Sequence, residues 1–332
     1  MNINTRNVSD TLRWGIIGCG DVTERKSGPA FYKSPGSALV AVMRRDADKA
    51  RDYAQRHGVP RWYDDAQRLI DDPGVDAVYV ATPPDTHEAY AIAAMKAGKP
   101  VYVEKPMATD AAACERMAEV SEAKGVKLTI AHYRRAVPMF RQIGDWIGRG
   151  EIGTIRTIRI STLQPDRPES LSDPRIRWRV TPESGGIGGH FYDLAPHQLD
   201  LMLHWFGPIV SHAGFGVNQA GSYAARDAVC GSMVFASGVL FTGQWAFTIN
   251  EAQTEDLCEI HGTEGAIRFP FFGSHVEIWR QGVRMTAPFE HPEHIQQPMI
   301  ERVTAYFKGE GANPCPAREA IETMRVMQGF TG

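Results

Sequence analysis

The apolar and polar residues of this chain follow two different patterns in its two halves. Up to about residue 133, short apolar runs at 37–43, 75–81 and 100–103 alternate with segments of helical spacing, such as 46–57 and 87–97. Uninterrupted apolar runs are typical of strands buried on both faces, and their alternation with helices predicts βαβ units. We therefore expect a parallel sheet that helices cover on both faces.

From residue 155 onward, Thr, Ser and Arg alternate with Ile, Val and Phe, so the period becomes two. This predicts antiparallel strands with one solvent-facing side, which serves either as an oligomer interface or as plain solvated surface. The predicted fold class is α/β, with an N-terminal parallel sheet plus a C-terminal α+β domain that has a large, mostly antiparallel open sheet. The predicted limits are 1–11 for a disordered tail, 12–133 for the first domain and 134–332 for the second.

Composition narrows the class of partner. A length of 332 residues suits two domains, and a net charge of −3 gives no electrostatic footprint for nucleic acid or an anionic membrane. No apolar run reaches the length that spans a bilayer. The five cysteines are scattered and form no C-x-x-C pair. We therefore expect a cytoplasmic protein without a disulfide framework or a structural zinc.

A strand that runs into a glycine turn at 13–23 is the first candidate site. Gly18 allows a tight turn, Gly20 lets the backbone approach a pyrophosphate, and Asp21 and Val22 open a helix whose N-terminus favours an anion. Thr23 stands where the dinucleotide fingerprint has its third glycine, so an ordinary strand-turn-helix stays an alternative.

The end of the second predicted strand indicates which dinucleotide binds. An acidic residue there would hold the ribose 2′-OH of NAD, whereas an arginine pairs with the 2′-phosphate of NADP. Arg44 and Arg45 occupy this position and Asp46 lies one step beyond it. The sequence favours NADP, with NAD as the alternative, unless the two arginines are only solvated surface charges.

Two further segments carry groups suited to acid–base chemistry. Lys105, in Glu104-Lys105-Pro106, follows a strand directly, and ligands of open α/β sheets lie at strand carboxyl ends. Downstream, a glycine run leads into a predicted helix on which Asp193 and His197 share one face. Histidine side chains exchange protons near neutral pH, so His197 is suited to take the proton of an alcohol. Asp200 and His204 extend that face, so a metal site is an alternative, although we expect none.

These motifs together resemble the glucose–fructose oxidoreductase/inositol dehydrogenase (Gfo/Idh/MocA) family over nearly the whole chain. The resemblance implies an N-terminal Rossmann domain and a C-terminal open sheet that often mediates dimers or tetramers. It also implies reversible hydride transfer between NAD(P) and a carbinol, commonly of a sugar or cyclitol. The residues that carry it are the glycine turn, Thr82-Pro83-Pro84 with His87, Glu104-Lys105-Pro106, Trp178-Arg179 and Asp193-x-x-x-His197.

The resemblance also implies residue roles. Lys105 matches the family lysine that contacts substrate and nicotinamide, and Asp193 and His197 match the substrate-binding and acid–base pair. Thr23 and the segment His190-Phe191-Tyr192 depart from the family pattern, and the second departure bears on substrate choice. The matching cofactor-pocket positions are Gly18, Gly20, Thr82, Pro83, His87 and Glu104, and the expected cleft residues are Tyr133, Arg134, Arg135, Trp178 and Arg179.

The resulting hypothesis is an NADP-preferring oxidoreductase that acts on a polyhydroxylated small molecule and forms a homodimer or homotetramer through its C-terminal sheet. His197 moves the hydroxyl proton, Lys105 polarises the oxygen and Asp193 fixes the ring. The arginines at 134, 135 and 179 bind substrate or form structural salt bridges. The alternatives are a non-catalytic NAD(P) sensor, a metal-dependent hydrolase or isomerase, and a dihydrodiol or biliverdin-type reductase.

Overall fold

Two compact units make up the part of the chain that the computed structural model describes, residues 11–332. The predicted tail 1–11, except for Thr11, lies outside the described residues. The first unit holds residues up to 108 together with 112–133 and 292–318, and the second holds 109–111, 134–291 and 319–332. The segment 292–318 therefore groups with the first unit, although it follows the second sheet in the sequence.

In the first unit the apolar runs form a six-stranded sheet in which every neighbouring pair is parallel. Its strands are β1 (Leu12–Ile17), β2 (Ser37–Met43), β3 (Arg61–Tyr63), β4 (Ala77–Val80), β5 (Val101–Val103) and β6 (Leu128–Ile130). Their spatial order, β3-β2-β1-β4-β5-β6, confirms the predicted parallel sheet. The order reverses between β1 and β4, and doubly wound sheets bind ligands outside the strand ends at that switch point.

Six helices of this part of the chain alternate with the strands, as the periodicity predicts. They are α1 (Asp21–Arg25), α2 (Gly28–Lys33), α3 (Ala47–His57), α4 (Ala66–Asp71), α5 (His87–Lys96) and α6 (Ala111–Lys124). α3 shows how local chemistry sets the bounds. The Asp46 carboxylate accepts from the backbone N–H of Lys49 at 3.1 Å, and Gly58 ends the helix at φ 65°.

The second unit contains an eight-stranded sheet, ordered β14-β13-β12-β11-β7-β10-β9-β8. Of its neighbouring pairs, only β7 with β10 is parallel, which confirms the predicted mostly antiparallel sheet. The period-two pattern did not reveal β8, β13 and β14. The strands are β7 (Ile155–Leu163), β8 (Ile209–Val217), β9 (Ala228–Phe235), β10 (Leu240–Ala246), β11 (Glu255–Gly262), β12 (Gly265–Phe269), β13 (His275–Arg280) and β14 (Val283–Pro288).

Seven helices complete the described elements apart from short 3₁₀ turns. They are α7 (Pro138–Gly148), α8 (Glu169–Ser172), α9 (Pro182–Gly185), α10 (His190–Leu194), α11 (Pro196–Phe206), α12 (Gln297–Lys308) and α13 (Ala317–Thr331). α12 belongs to the first unit because its Phe307 ring packs 5.4 Å from Trp14, which also contacts Phe31 at 4.9 Å. All three side chains are buried, so a distant segment completes the core of the parallel-sheet unit.

The large sheet has one covered and one open face. On the covered face, the fully buried Trp245 contacts Phe191 at 4.9 Å and Phe330 at 6.2 Å between ring centroids. On the open face, Val210, Phe215 and Leu240 stay exposed, Phe215 to 76%. The predicted open face is thus confirmed. Among the described residues, no helix has the length and hydropathy needed to cross a membrane.

Candidate active site

The glycine turn follows β1 at the switch point of the parallel sheet. Gly18 has φ 96°, and a Cβ there would lie 2.7 Å from Thr82 Cγ2 and 2.8 Å from the carbonyl carbon of Ala81. Gly18 is therefore required by both backbone conformation and packing. Gly20 differs, because its φ of −118° is open to any residue and its Cβ would meet only Gly18 O, at 4.0 Å. Its glycine leaves space above the turn, which is what a pyrophosphate needs.

Asp21 and Val22 are the first two residues of α1, where backbone N–H groups have no acceptor within a helix. Thr23 is fully buried, and its hydroxyl donates to Gly20 O at 2.8 Å. Its carbonyl accepts from the Tyr53 hydroxyl at 2.9 Å. A short polar residue thus fits the third position of the fingerprint by closing the turn on itself.

The close helix contact that a third glycine would provide lies instead at Gly28, where α2 begins. A Cβ on Gly28 would sit 2.1 Å from both Thr23 O and the Tyr53 hydroxyl. The chain breaks into two short helices here, since α1 ends at Arg25 and α2 begins at Gly28. The packing role depends on Tyr53, which lies 25 positions away, and no local pattern revealed it.

Arg44 lies against the glycine turn. Its Nη1 donates to Cys19 O at 3.2 Å, and its side chain is half-buried, whereas Arg45 is exposed. Asp46 caps α3 and pairs with Lys49 at 2.7 Å. Burial raises the pKa of the Cys19 thiol to about 12, so it stays protonated within the turn. Arg44 therefore places a cationic group directly against the turn.

His87 connects two loops at the carboxyl end of the same sheet. Its Nε2 lies 2.7 Å from Thr82 O and its Nδ1 lies 3.1 Å from Pro106 O. Complete burial lowers the pKa of the imidazole. Thr82 and Pro83 stay half-exposed, and Thr86 donates to the Thr82 hydroxyl at 2.7 Å. His87 therefore links the loop that carries Thr82 to the loop that carries Pro106.

Glu104 and Lys105 follow β5, and the Lys105-Pro106 peptide is cis. The buried Glu104 carboxylate accepts from the Tyr79 hydroxyl at 2.5 Å, from Gln296 Nε2 at 2.7 Å and from the Lys105 backbone N–H at 3.1 Å. Glu104 thus holds the backbone of Lys105. Burial, together with the Glu104 charge, raises the pKa of Tyr79 well above its ordinary value. Sequence reasoning missed Tyr79 and Gln296.

In the second unit, the glycine run at 185–189 packs around Tyr192. A Cβ at Gly188 would lie 2.1 Å from Tyr192 Cδ1, and one at Gly186, which has φ 86°, would lie 2.5 Å from Cδ2. The Tyr192 hydroxyl lies 3.3 Å from Thr331 Oγ1. The glycines therefore let the loop close on an aromatic ring. His190 is likewise core, 5.4 Å from Phe247 and 3.1 Å from Ser170 Oγ.

The prediction that a single helix carries Asp193 and His197 is wrong, because two helices, α10 and α11, stand there. α10 ends at Leu194 and α11 begins at Pro196, because a proline has no N–H for the carbonyl four residues earlier. Asp193 instead pairs with Arg179 at 2.9 Å, and the Arg179 guanidinium lies 5.0 Å from the Trp178 ring centroid. Three predicted substrate-site residues are thereby brought together.

His197 lies in the first turn of α11 and is buried. Its ring stands edge-on to Phe272, at 6.2 Å between centroids and 79° between planes. Arg134 is also buried, donates to Phe271 O at 2.5 Å and lies over the Phe272 ring. Tyr133 is buried in the first unit. Phe272 is an aromatic neighbour of His197 that sequence reasoning missed.

Arg135 and Asp200 form a buried ion pair. Arg135 Nε and Nη2 donate to the two Asp200 oxygens at 2.8 and 2.7 Å, and Nη1 donates to Glu319 at 2.5 Å. Arg135 was expected either to bind substrate or to form a structural salt bridge, and this geometry is that of a salt bridge. Within residues 11–332, no group of three or more His, Cys, Asp or Glu side chains is placed to hold a metal ion.

The fold and the glycine turn define a dinucleotide-binding protein of the doubly wound α/β class. Family comparison then specifies it: residues 12–132 match the oxidoreductase family with NAD-binding Rossmann fold, and residues 140–268 match the GFO/IDH/MocA C-terminal domain. The chain belongs to the Gfo/Idh/MocA family and is an NAD(P)-dependent oxidoreductase.

Named relatives and solved structures agree with this assignment. Oxidoreductase P35 of Formosa agariphila is 41% identical over 97% of this chain and 98% of its own length. The 1,5-anhydro-D-fructose reductase of Ensifer adhaerens is 30% identical over 77% of this chain and 74% of its own. A levoglucosan dehydrogenase structure with NADH and levoglucosan shares the fold at a TM-score of 0.82, with 21% identity and 96% of each chain covered.

Proposed function

We propose that this protein transfers a hydride reversibly between a nicotinamide cofactor and the carbinol or carbonyl carbon of a sugar, a cyclitol or a related polyhydroxylated molecule. The observation that carries the cofactor half is the glycine turn, which is tight at Gly18 and open at Gly20. The substrate class is supported by relatives named for sugar and cyclitol chemistry, including an inositol 2-dehydrogenase of Acidothermus cellulolyticus, 36% identical over 48% of each chain.

The nicotinamide, when bound, supplies the acceptor or donor of the hydride. In the oxidative direction, His197 takes the hydroxyl proton as the carbinol carbon loses its hydride, and it returns that proton in reduction. Lys105 donates a hydrogen bond to the same oxygen and stabilises the charge that develops there. Asp193, held by Arg179, accepts a hydrogen bond from a second hydroxyl and so orients the ring.

NADP is the proposed cofactor, with NAD as the alternative. Arg44 lies half-buried beside the turn and carries the charge that a ribose 2′-phosphate would pair with. The direct test is a titration with NADPH and NADH in parallel, followed by energy transfer from tryptophan to nicotinamide. Tighter binding of NADPH is expected, and Arg44→Ser should reduce its affinity by roughly 10-fold while leaving NADH binding unchanged.

Three outcomes of that titration have different meanings. A preference for NADH would overturn the proposed pairing of Arg44 with a 2′-phosphate, but the proposed hydride transfer would still stand. Exposed Arg45, changed in Arg45→Ser, provides the matched control, and an equal effect there would assign the preference to general positive charge. Nicotinamide binding without turnover of any sugar or cyclitol would favour the sensor alternative.

The open face of the large sheet is the proposed interface of a homodimer or homotetramer. Exposed apolar side chains such as Val210, Phe215 and Leu240 would be covered by a second copy. Light scattering of the wild type and of Phe215→Asp tests this. A wild-type mass of one chain would contradict the proposal.

A further inference from the structure

Phe272 is a large apolar side chain that stays 44% exposed beside a buried histidine. It lies between β12 and β13, in the same unit as His197, and its ring meets the His197 ring edge-on at 6.2 Å. A phenylalanine that packs only for stability would be expected to turn into the core, as the neighbouring Phe271 does at 0% exposure. What distinguishes Phe272 from other exposed apolar side chains is its contact with the His197 ring.

The loop that carries Phe272 is anchored at Phe271 and at the backbone N–H of Phe272. The Asp256 carboxylate accepts from the backbone N–H groups of Phe271 and Phe272, at 3.0 and 2.7 Å. Arg134 donates to Phe271 O at 2.5 Å. The Phe271 ring stacks 5.9 Å from Phe140. These contacts hold the backbone from which the Phe272 side chain projects.

Arg134 also determines which part of the ring is available. Its guanidinium carbon lies 4.6 Å from the Phe272 centroid, over the ring, and 5.2 Å from the Phe140 centroid. Since a cation lies over one face of Phe272, only the opposite face and the ring edge are left for another molecule to contact. Burial of Asp256 raises the pKa of its carboxyl, because an ionised carboxylate loses solvation in the interior. The carboxyl that holds this loop is therefore buried at a cost in desolvation free energy.

An exposed aromatic face next to an acid–base histidine suits a polyhydroxylated ring. A pyranose or cyclitol has hydroxyl groups at its rim and C–H groups on its faces. The face of an aromatic ring carries partial negative charge and attracts such C–H groups, while the imidazole reaches a rim hydroxyl. An acyclic polyol cannot present a comparable C–H face.

We propose that Phe272 is a substrate-binding residue that stacks on the C–H face of a cyclic sugar or cyclitol and so brings one carbinol to His197. Arg134 and Asp256 are positioning residues for this ring. The proposal rests on the proposed function, because it assumes that His197 is the acid–base group. It also gives Arg134, expected at the sequence level to contact substrate, an indirect role.

The test compares Phe272→Leu with Phe272→Tyr. Leucine keeps an apolar side chain without the aromatic face, and tyrosine keeps the face. The probes are D-glucose, 1,5-anhydro-D-glucitol and myo-inositol, with acyclic xylitol for comparison. For the best cyclic probe, Phe272→Leu should raise KM about 10-fold and change kcat less than about threefold, and Phe272→Tyr should restore the wild-type KM. The affinity for nicotinamide and the melting temperature should stay unchanged.

Phe215→Leu is the matched control, since it makes the same change in a ring exposed on the open face of the large sheet, and its KM should equal that of the wild type. An unchanged KM in Phe272→Leu would overturn the proposal. So would an equal loss for xylitol and for the cyclic probes, because stacking on a ring face predicts a difference.

Saturation-transfer NMR with the same probes separates this proposal from the proposed function. If the wild type binds a cyclic probe but turns over none with either nicotinamide, the proposed function fails and Phe272 is still judged by binding. Loss of the C–H saturation signals in Phe272→Leu, and not in Phe215→Leu, would support stacking. If the wild type binds none of the cyclic probes, both proposals are overturned.

Discussion

The two units are built by different means, with a backbone turn in the first and buried side-chain pairs in the second. In the first unit, the backbone of one short segment forms the glycine turn. Gly18 and Gly20 contribute to it because they have no side chain. In the second unit, side chains from distant positions form the structure. Arg135 pairs with Asp200, 65 positions away, and with Glu319, 184 positions away. The glycine turn is therefore damaged when a side-chain atom is added, whereas a buried side-chain pair is damaged when one of its partners is removed.

The largest expected effect lies in the second unit. Arg135→Met removes the guanidinium that pairs with buried Asp200, so the free energy of unfolding should fall by about 3–5 kcal/mol. Urea denaturation measures this change. The control is Arg318→Met, which breaks the exposed pair with Glu122 in the first unit and should leave stability nearly unchanged.

A double variant sharpens this prediction. Arg135→Met combined with Asp200→Leu replaces the two pairing charges with apolar groups, so much of the lost stability should return. If Arg135→Met lowers the free energy of unfolding no more than Arg318→Met does, the second unit does not depend on its buried side-chain pairs. The stated difference between the two units would then be wrong.

The next effect concerns the backbone of the first unit. Gly18→Ala places a Cβ at positive φ against Thr82 and should lower the free energy of unfolding by about 1–3 kcal/mol. Gly20→Ala has room within the protein, so its stability should change by less than about 0.5 kcal/mol. Because that Cβ fills the space above the turn, nicotinamide affinity should still fall by roughly 10- to 100-fold.

Thermal unfolding and nicotinamide titration, applied to both glycine variants, check this pair. A Gly20→Ala protein that is stable and binds NADPH and NADH as the wild type does would show that the open space serves no nucleotide.

The smallest effect is electrostatic and lies at α1, directly after the turn. Hydrogen bonds from Arg56 lower the pKa of Glu24 to about 2, from an ordinary value of 4.5. The ionised carboxylate therefore stabilises the folded state fully above about pH 4.5, and this contribution disappears as the pH falls toward 2. Glu24→Gln should cost at most about 1 kcal/mol at pH 7, because solvent screens the pair.

Denaturation of the wild type and of Glu24→Gln at pH 7 and at pH 3 measures this difference. The stability gap should be smaller at pH 3, and a gap of the same size at both values would contradict the assigned pKa. Nicotinamide affinity at pH 7 should not change, because the turn acts through its backbone.

The same contrast explains which features the sequence could predict. The parallel sheet, the open sheet, the cap at Asp46 and the strand-end position of Lys105 follow from local periodicity and turn chemistry. The helix break at Ala195 was missed, although Pro196 lacks the N–H that a continuous helix requires.

Long-range contacts left no local pattern. Gln296 donates to Glu104 across 192 positions, and Gly28 has to be a glycine because Tyr53 and the Thr23 carbonyl approach it. Phe272 reaches His197 only because the sheet of the second unit brings its loop there. Such pairings are set by tertiary packing, which periodicity and composition do not encode.

We propose that nucleotide binding depends on the first unit and proton transfer on the second. The most direct test is to titrate NADPH and NADH into the wild type, Gly20→Ala and His197→Asn, and to measure turnover of the best cyclic polyol by each. Gly20→Ala should lose nucleotide affinity. His197→Asn should keep wild-type affinity while turnover falls by about 10²–10⁴-fold. Equal loss of nucleotide affinity in both variants, or undiminished turnover in His197→Asn, would contradict the division.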